Sequence, residues 1–164
     1  MTGCWTKAIS DNLAALGYVS EIGKQRDFYS HYVKPLAGKN SRAFVIISDA
    51  LRYEVAAELC DTITRTTKGT AKLDAVQAVF PSITKFGMAA LLPGRRLSVN
   101  DSMDVLVDEM PTRSTDERGK VLRAANINSV AVQYTDVLNM KRAERRELVS
   151  GKEIVYIYHN TIDA

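Results

Sequence analysis

Cysteine is scarce in this chain of 164 residues: only Cys4 and Cys60 carry a thiol, far apart and without a paired spacing such as CxxC. That excludes a disulfide framework and a thiolate zinc site, and it suits a reducing compartment. Long apolar runs are missing too. None approaches the ~20 residues of a membrane-spanning helix, and the opening residues MTGCWTKAISDN lack the apolar centre of a secretory signal. The expectation is a soluble, cytoplasmic protein with no membrane partner. Charge of one sign is not gathered into a block, and a net charge of +3 is too mild to name nucleic acid as a partner, so that question stays open. There is no internal repeat and no low-complexity stretch. What is present is ordinary: 46% hydrophobic and 25% charged residues, in a length that fits one domain with a sizeable core.

Hydrophobic periodicity divides the chain into alternating helices and strands. Ile9, Leu13 and Leu16 predict a helix over residues 6–16, and Phe28, Tyr32 and Leu36 a second over residues 24–36 that also holds His31. A loop then leads to an unbroken apolar strand, residues 43–48, of the kind covered on both faces. From Leu51 the period changes, with Leu51, Val55 and Leu59 on one helical face. Residues 62–72 read as a loop or frayed helix end, and residues 74–80 as a strand stopped by Pro81. Ser82 or Thr84 can cap a helix carrying Met88, Ala89, Leu91 and Leu92, which Pro93 and Gly94 end. Strands over residues 105–108, 129–134 and 153–159 alternate with helices over residues 115–125 and 137–149. This order predicts an α/β fold with a mainly parallel sheet and helices on both faces. Its first 42 residues form a helical approach, and the domain proper begins at residue 43. The run KRAERREL, residues 141–148, reads as a solvated helix face laced with ion pairs, or else as an anion-binding surface.

Three groups share one geometric property: Asp49, Thr84 and Asp163 each follow a predicted strand at its C-terminal end. Open α/β sheets collect ligands in the crevice beyond those ends. Two carboxylates and a hydroxyl around one point are what metal-assisted phosphoryl chemistry requires, since a bound divalent ion activates an otherwise poor alcohol nucleophile. Lys85 and Arg52 lie close enough in sequence to neutralise phosphoryl oxygens in the same crevice. Structural explanations compete. Asp49 can cap the helix that follows it, and Ser82 and Thr84 can do the same for theirs. His159 can be a hydrogen-bonded structural histidine, and Tyr156 and Tyr158, alternating with Ile157, suit core packing.

Three blocks in order, FVIISDALRYEVAAEL (residues 44–59), FPSITKFGMAALLPG (residues 80–94) and IVYIYHNTIDA (residues 154–164), resemble the PglZ family, alkaline-phosphatase-superfamily proteins of bacterial Pgl and BREX phage-defence systems. The resemblance runs from about Phe28 to the last residue, and it implies an alkaline-phosphatase-like core. It implies that Asp49 is the strand-end metal ligand and that Thr84 is the metal-bound nucleophile, with Ser82 the less favoured claimant. It implies also that Asp163 begins the second metal's ligand set. The cofactor implied is a pair of divalent ions, commonly zinc, and the substrate a phosphate ester. The implied partners are other defence proteins, including a DNA methyltransferase.

The superfamily completes its metal cage with a later Asp-His pair and a further histidine, and no DH dipeptide occurs here. Two tetrahedral metals take about four donors each, so the resemblance implies a half-built binuclear site, in a fragment or a truncated relative that is inactive alone. An uncovered sheet edge in such a chain invites self-association, including a homodimer. Two further readings remain: a non-catalytic α/β interaction module whose strand-end acids are only caps, and a nucleic-acid-binding face at Lys141 to Arg146.

Overall fold

The computed structural model describes residues 21–38 and 41–162. The helix expected over residues 6–16 lies outside them, as does Asp163. A short strand, β1 (Gly23–Lys24), leads into a helical segment built of three short pieces, Gln25–Asp27 (3-10), Tyr29–Val33 (π) and Lys34–Leu36 (3-10). Then come β2 (Ala43–Ser48), α1 (Tyr53–Thr66), β3 (Val76–Gln77) and α2 (Thr84–Ala90). A meander of β4 (Leu97–Val99), β5 (Val105–Val107) and β6 (Met110–Pro111) precedes α3 (Thr115–Ala125). The chain closes with β7 (Ser129–Gln133), α4 (Tyr134–Asn139), α5 (Arg142–Val149) and β8 (Ile154–His159).

The central sheet is parallel, in the order β2-β8-β7, with Ala43 opposite Ile154 and Ser48 opposite His159. Because side chains alternate along a strand, this register puts Ala43 and Val45 on one face with Ile154, Tyr156 and Tyr158. That face holds the core, which Val121 and Leu122 of α3, Met88 and Ala89 of α2 and Val105 and Val107 of β5 complete. Full burial of one such aliphatic side chain contributes about 1.5–3 kcal/mol. On the opposite face, Val137 of α4 and Leu148 and Val149 of α5 line, with Val155, Ile157 and Phe44, an open hollow of about 330 Å3. Helices lie on both faces of the sheet, but Phe44 and Ile46 on the outer face of β2 are exposed, so the strand expected to be covered on both faces is covered on one; the fold is the expected α/β class. α3 begins with a capping box, in which Ser114 accepts from the Glu117 N–H and Glu117 accepts from the Ser114 N–H.

Several expected elements change shape. The strand predicted over residues 74–80 shrinks to β3, which pairs in parallel with β1 and not with the central sheet. β4, β5 and β6 form a separate antiparallel sheet; the apolar run at Val105 marks one of its strands but not its neighbours. The single helix expected over residues 137–149 is two helices, parted at Met140 and Lys141. α1 runs on to Thr66 through residues expected to be loop, yet none of its residues is buried, and Tyr53, Val55 and Leu59 are exposed. The charged face of α5 is solvated as expected, but not laced with ion pairs: among the described residues the pairs are Lys72–Asp74 and Arg96–Glu109. Among those residues no helix is long and apolar enough to cross a membrane.

Candidate functional site at the tip of the central strands

The parallel register brings Ser48 and His159 side by side, so the segments after β2 and β8 leave from the same rim of the sheet. There the Asp49 N–H donates to the His159 carbonyl at 3.0 Å, which prolongs the ladder by one residue. Ser48 Oγ and His159 Nδ1 share a hydrogen bond of 2.8 Å, and the Tyr134 ring meets the imidazole edge-on at 4.7 Å. These contacts fix the His159 ring through Nδ1 and its edge-on partner.

Asp49 is half-buried and does not cap α1. The N-cap position is Arg52, without a side-chain cap, and the Asp49 carboxylate instead accepts the N–H of Ala50 at 3.1 Å. Ala50 sits at φ +59°, a left-handed conformation that costs a residue with a Cβ about 1–2 kcal/mol. Strain of this kind gathers at ligand sites. The helix-cap explanation for Ser82 and Thr84 also fails. Ile83 is the N-cap of α2, and it has no side-chain cap bond. Thr84 is the first residue of that helix, and its hydroxyl bonds to none of the described residues.

One cavity of about 280 Å3 is lined by Asp49, Ser82 and Thr84 together, with Ile47 and Ser48 of β2 and Met88 of α2 around them. Its remaining polar wall is Gln25. The Gln25 amide accepts the Val79 N–H at 3.1 Å and donates to the Gly87 carbonyl at 3.4 Å, which ties the segment before α2 to the helix itself. The route by which Thr84 arrives therefore differs from the expected one. It does not follow a strand of the central sheet; the β1–β3 pair and the Gln25 clamp carry α2 to the rim.

Two expected substrate-binding groups stand apart. The Lys85 ammonium donates to the Met103 carbonyl at 2.7 Å, and Lys85 does not line the cavity. Arg52 is exposed at the start of α1 and is not in the lining either. Gln25 is the lining residue that sequence reasoning missed. It falls in a segment that reads as an approach helix, and no spacing rule links it to Gly87. Beneath the rim, burial pushes the phenols of Tyr156 and Tyr158 above their ordinary range. Tyr156 donates to the Leu91 carbonyl at 2.9 Å, and the Arg118 guanidinium lies 4.7 Å over the Tyr158 ring. Both are core residues.

The donors at the rim, a carboxylate and an alcohol, are hard oxygens of the type divalent ions take. Two such donors do not by themselves make a metal site: among the described residues no group of three or more His, Cys, Asp or Glu could hold an ion, and a closed zinc site takes about four donors.

A parallel α/β sheet with helices on its faces is consistent with an alkaline-phosphatase-like core. Residues 28–164 match the family model described as the BREX system PglZ alkaline phosphatase-like domain. The alkaline phosphatase-like protein PglZ of Bacillus cereus (strain H3081.97) is 39% identical over 160 residues, which are 98% of this chain and 19% of that protein. The alkaline phosphatase-like protein BrxZ of Escherichia coli O9:H4 (strain HS) is 38% identical over 165 residues, again 98% and 19%. The chain belongs to the PglZ family, and it spans about a fifth of the length of these curated relatives. No solved structure matches it.

Proposed function

We propose that this chain carries the nucleophile side of a metal-dependent phosphatase or phosphodiesterase site in a bacterial anti-phage defence protein. The observation behind this reading is that Asp49 and the unengaged hydroxyl of Thr84 line one cavity although they come from separate parts of the chain. Asp49 and Thr84 would hold the first divalent ion and Asp163, beyond β8, would serve the second. The chemistry such ions supply is polarisation of the phosphoryl group and a lowered pKa for the attacking alcohol. The chain's own residues do the rest. Thr84 presents its oxygen to phosphorus, Asp49 anchors the rim, and Gln25 fixes α2 so that the hydroxyl keeps its place. Lys85 reaches the phosphoryl oxygens only by giving up the Met103 carbonyl. A pair of ions takes more donors than Asp49, Thr84 and Asp163 supply.

Metal titration of a longer form of the protein tests this. With Zn2+ or Mn2+ as probe, Asp49→Asn is expected to weaken binding by more than the ~10–100-fold that loss of a mere supporting group costs. Unchanged affinity would remove Asp49 from the site. Hydrolysis of p-nitrophenyl phosphate by the isolated chain in the presence of chelator would overturn the mechanism as a whole. A second reading, a non-catalytic module that docks other defence proteins such as a DNA methyltransferase, is favoured by the exposed apolar residues Tyr53, Val55 and Leu59 of α1. Under that reading Asp49→Asn leaves metal binding and defence in cells unaltered.

A further inference from the structure

A cavity of about 650 Å3 lies not at the rim but behind the far end of α2. It falls within the ~300–1,000 Å3 of ordinary small-molecule sites. Its walls come from four parts of the chain: the helical segment of residues 25–36, the loop after α2, the turn between β5 and β6, and α3. The floor is apolar, formed by Tyr29, Leu92, Met110, Val121 and Ala124. Three cations stand around it, Arg26, Lys34 and Arg95. Against them is one carboxylate, Asp108.

None of the three cations is spent on a carboxylate within ion-pair distance; the ion pairs among the described residues lie elsewhere. Arg26 uses one nitrogen on the Arg95 carbonyl at 2.7 Å, and this bond holds two walls together. The side chains of Lys34 and Arg95 make no hydrogen bond to a described residue, although the Arg95 and Arg26 guanidiniums both attract the Asp108 carboxylate. Asp108 is occupied. Its oxygens accept the backbone N–H of Arg95 at 3.1 Å and of Arg96 at 2.8 Å, and these two bonds hold its carboxyl below the usual range. The carboxylate thus shapes the loop that presents Arg95. Three cations against one carboxylate leave the lining of the hollow net positive, which favours a further anion there. Two of them are guanidiniums, whose fork matches phosphate oxygens in pairs.

We infer that this cavity is a binding site for a small phosphate ester with an apolar body, of the nucleoside monophosphate class, with the phosphate on Arg26, Lys34 and Arg95 and the body on the floor around Leu92 and Met110. It is separate from the Asp49 cavity, and none of the lining residues is shared.

Calorimetric titration of the chain with 5′-AMP, inorganic phosphate and adenosine tests the assignment. 5′-AMP is expected to bind saturably at sub-millimolar concentration and more weakly as salt rises. Phosphate alone and adenosine alone should each bind at least tenfold more weakly, because each engages half of the site. Lys34→Ala and Arg95→Ala, both at exposed side chains, should each weaken 5′-AMP by about tenfold, while Arg142→Ala on α5 leaves it unaltered. Thermal melts check that these variants remain folded. Failure of 5′-AMP to saturate, or affinity indifferent to Lys34→Ala and Arg95→Ala in folded protein, would overturn the site. Asp49→Asn and Thr84→Ala keep their affinity if the inference holds. If 5′-AMP binding falls with those variants alone, the ligand sits in the rim cavity and the inference fails while the hydrolase reading stands.

Discussion

In a form of the protein that cleaves a phosphate ester, Thr84→Ala is expected to lower kcat by ~10^3-fold or more, the scale seen when a nucleophile is removed. Thr84→Ser keeps an alcohol at the same backbone position and should restore most of the rate. Ser82→Ala, which removes the other hydroxyl in the cavity, should cost far less. The fold should tolerate the first change well, since Thr84 is exposed and its hydroxyl neither caps α2 nor bonds to a described neighbour; surface changes of that kind move stability by about 0.5 kcal/mol or less. Single-turnover measurements separate loss of chemistry from loss of binding. Full activity in Thr84→Ala would dismiss the hydroxyl as nucleophile. The reverse ranking, with Ser82→Ala inactive and Thr84→Ala active, would transfer the role to Ser82.

Gly94→Ala is the second change with a large expected effect, and it acts on stability. A Cβ at residue 94 would lie 2.2 Å from Val107 Cγ1, well inside contact distance. Val107 cannot swing aside easily, because it is 1% exposed on the central strand of the antiparallel sheet and branched at Cβ. Overpacking of this kind costs about 1–3 kcal/mol. The same methyl would meet an oxygen of Asp108 at 3.3 Å, so the turn that holds the Arg95 and Arg96 N–H groups would loosen with it. Urea denaturation should show a lower midpoint for Gly94→Ala. Val107→Ala alone should also destabilise, by leaving a cavity. Together the two should cost less than their sum, because the deleted methyl groups vacate the space that the new one needs. A Gly94→Ala protein with an unshifted midpoint would mean that the loop and β5 are not packed as described.

The central sheet was legible in the sequence because its strands are uninterrupted apolar runs, Ala43–Ser48 and Ile154–His159; burial on both faces holds for β8, whereas β2 leaves Phe44 and Ile46 exposed. α3 was legible at both ends, since Ser114 and Glu117 write its start and the pattern breaks at Asn126. The antiparallel meander was not. Its strands are two and three residues long, too short for a period to register, and Asp108 and Glu109 turn between two of them at positive φ without a glycine. At the rim, Asp49 stood out because a single acid ends an apolar run, and Thr84 because it opens a helix. Gln25 could not stand out. Its importance lies in two backbone partners, Val79 and Gly87, that are neighbours only in three dimensions. The side chains of Lys85 and Arg52 were misplaced for the opposite reason: closeness in sequence to a site residue says nothing about the direction in which a long cation points.

α1 carries its own consequence. A helix of 14 residues with no buried side chain rests chiefly on its internal backbone bonds, and at ~12–15 residues such bonds alone are marginal in water. Its amides should therefore trade protons with solvent through local fraying, long before the β2-β8-β7 ladder opens, and its melting should leave the core intact. Slow exchange confined to Tyr53, Val55 and Leu59 would be the first sign that another protein surface has come to rest there.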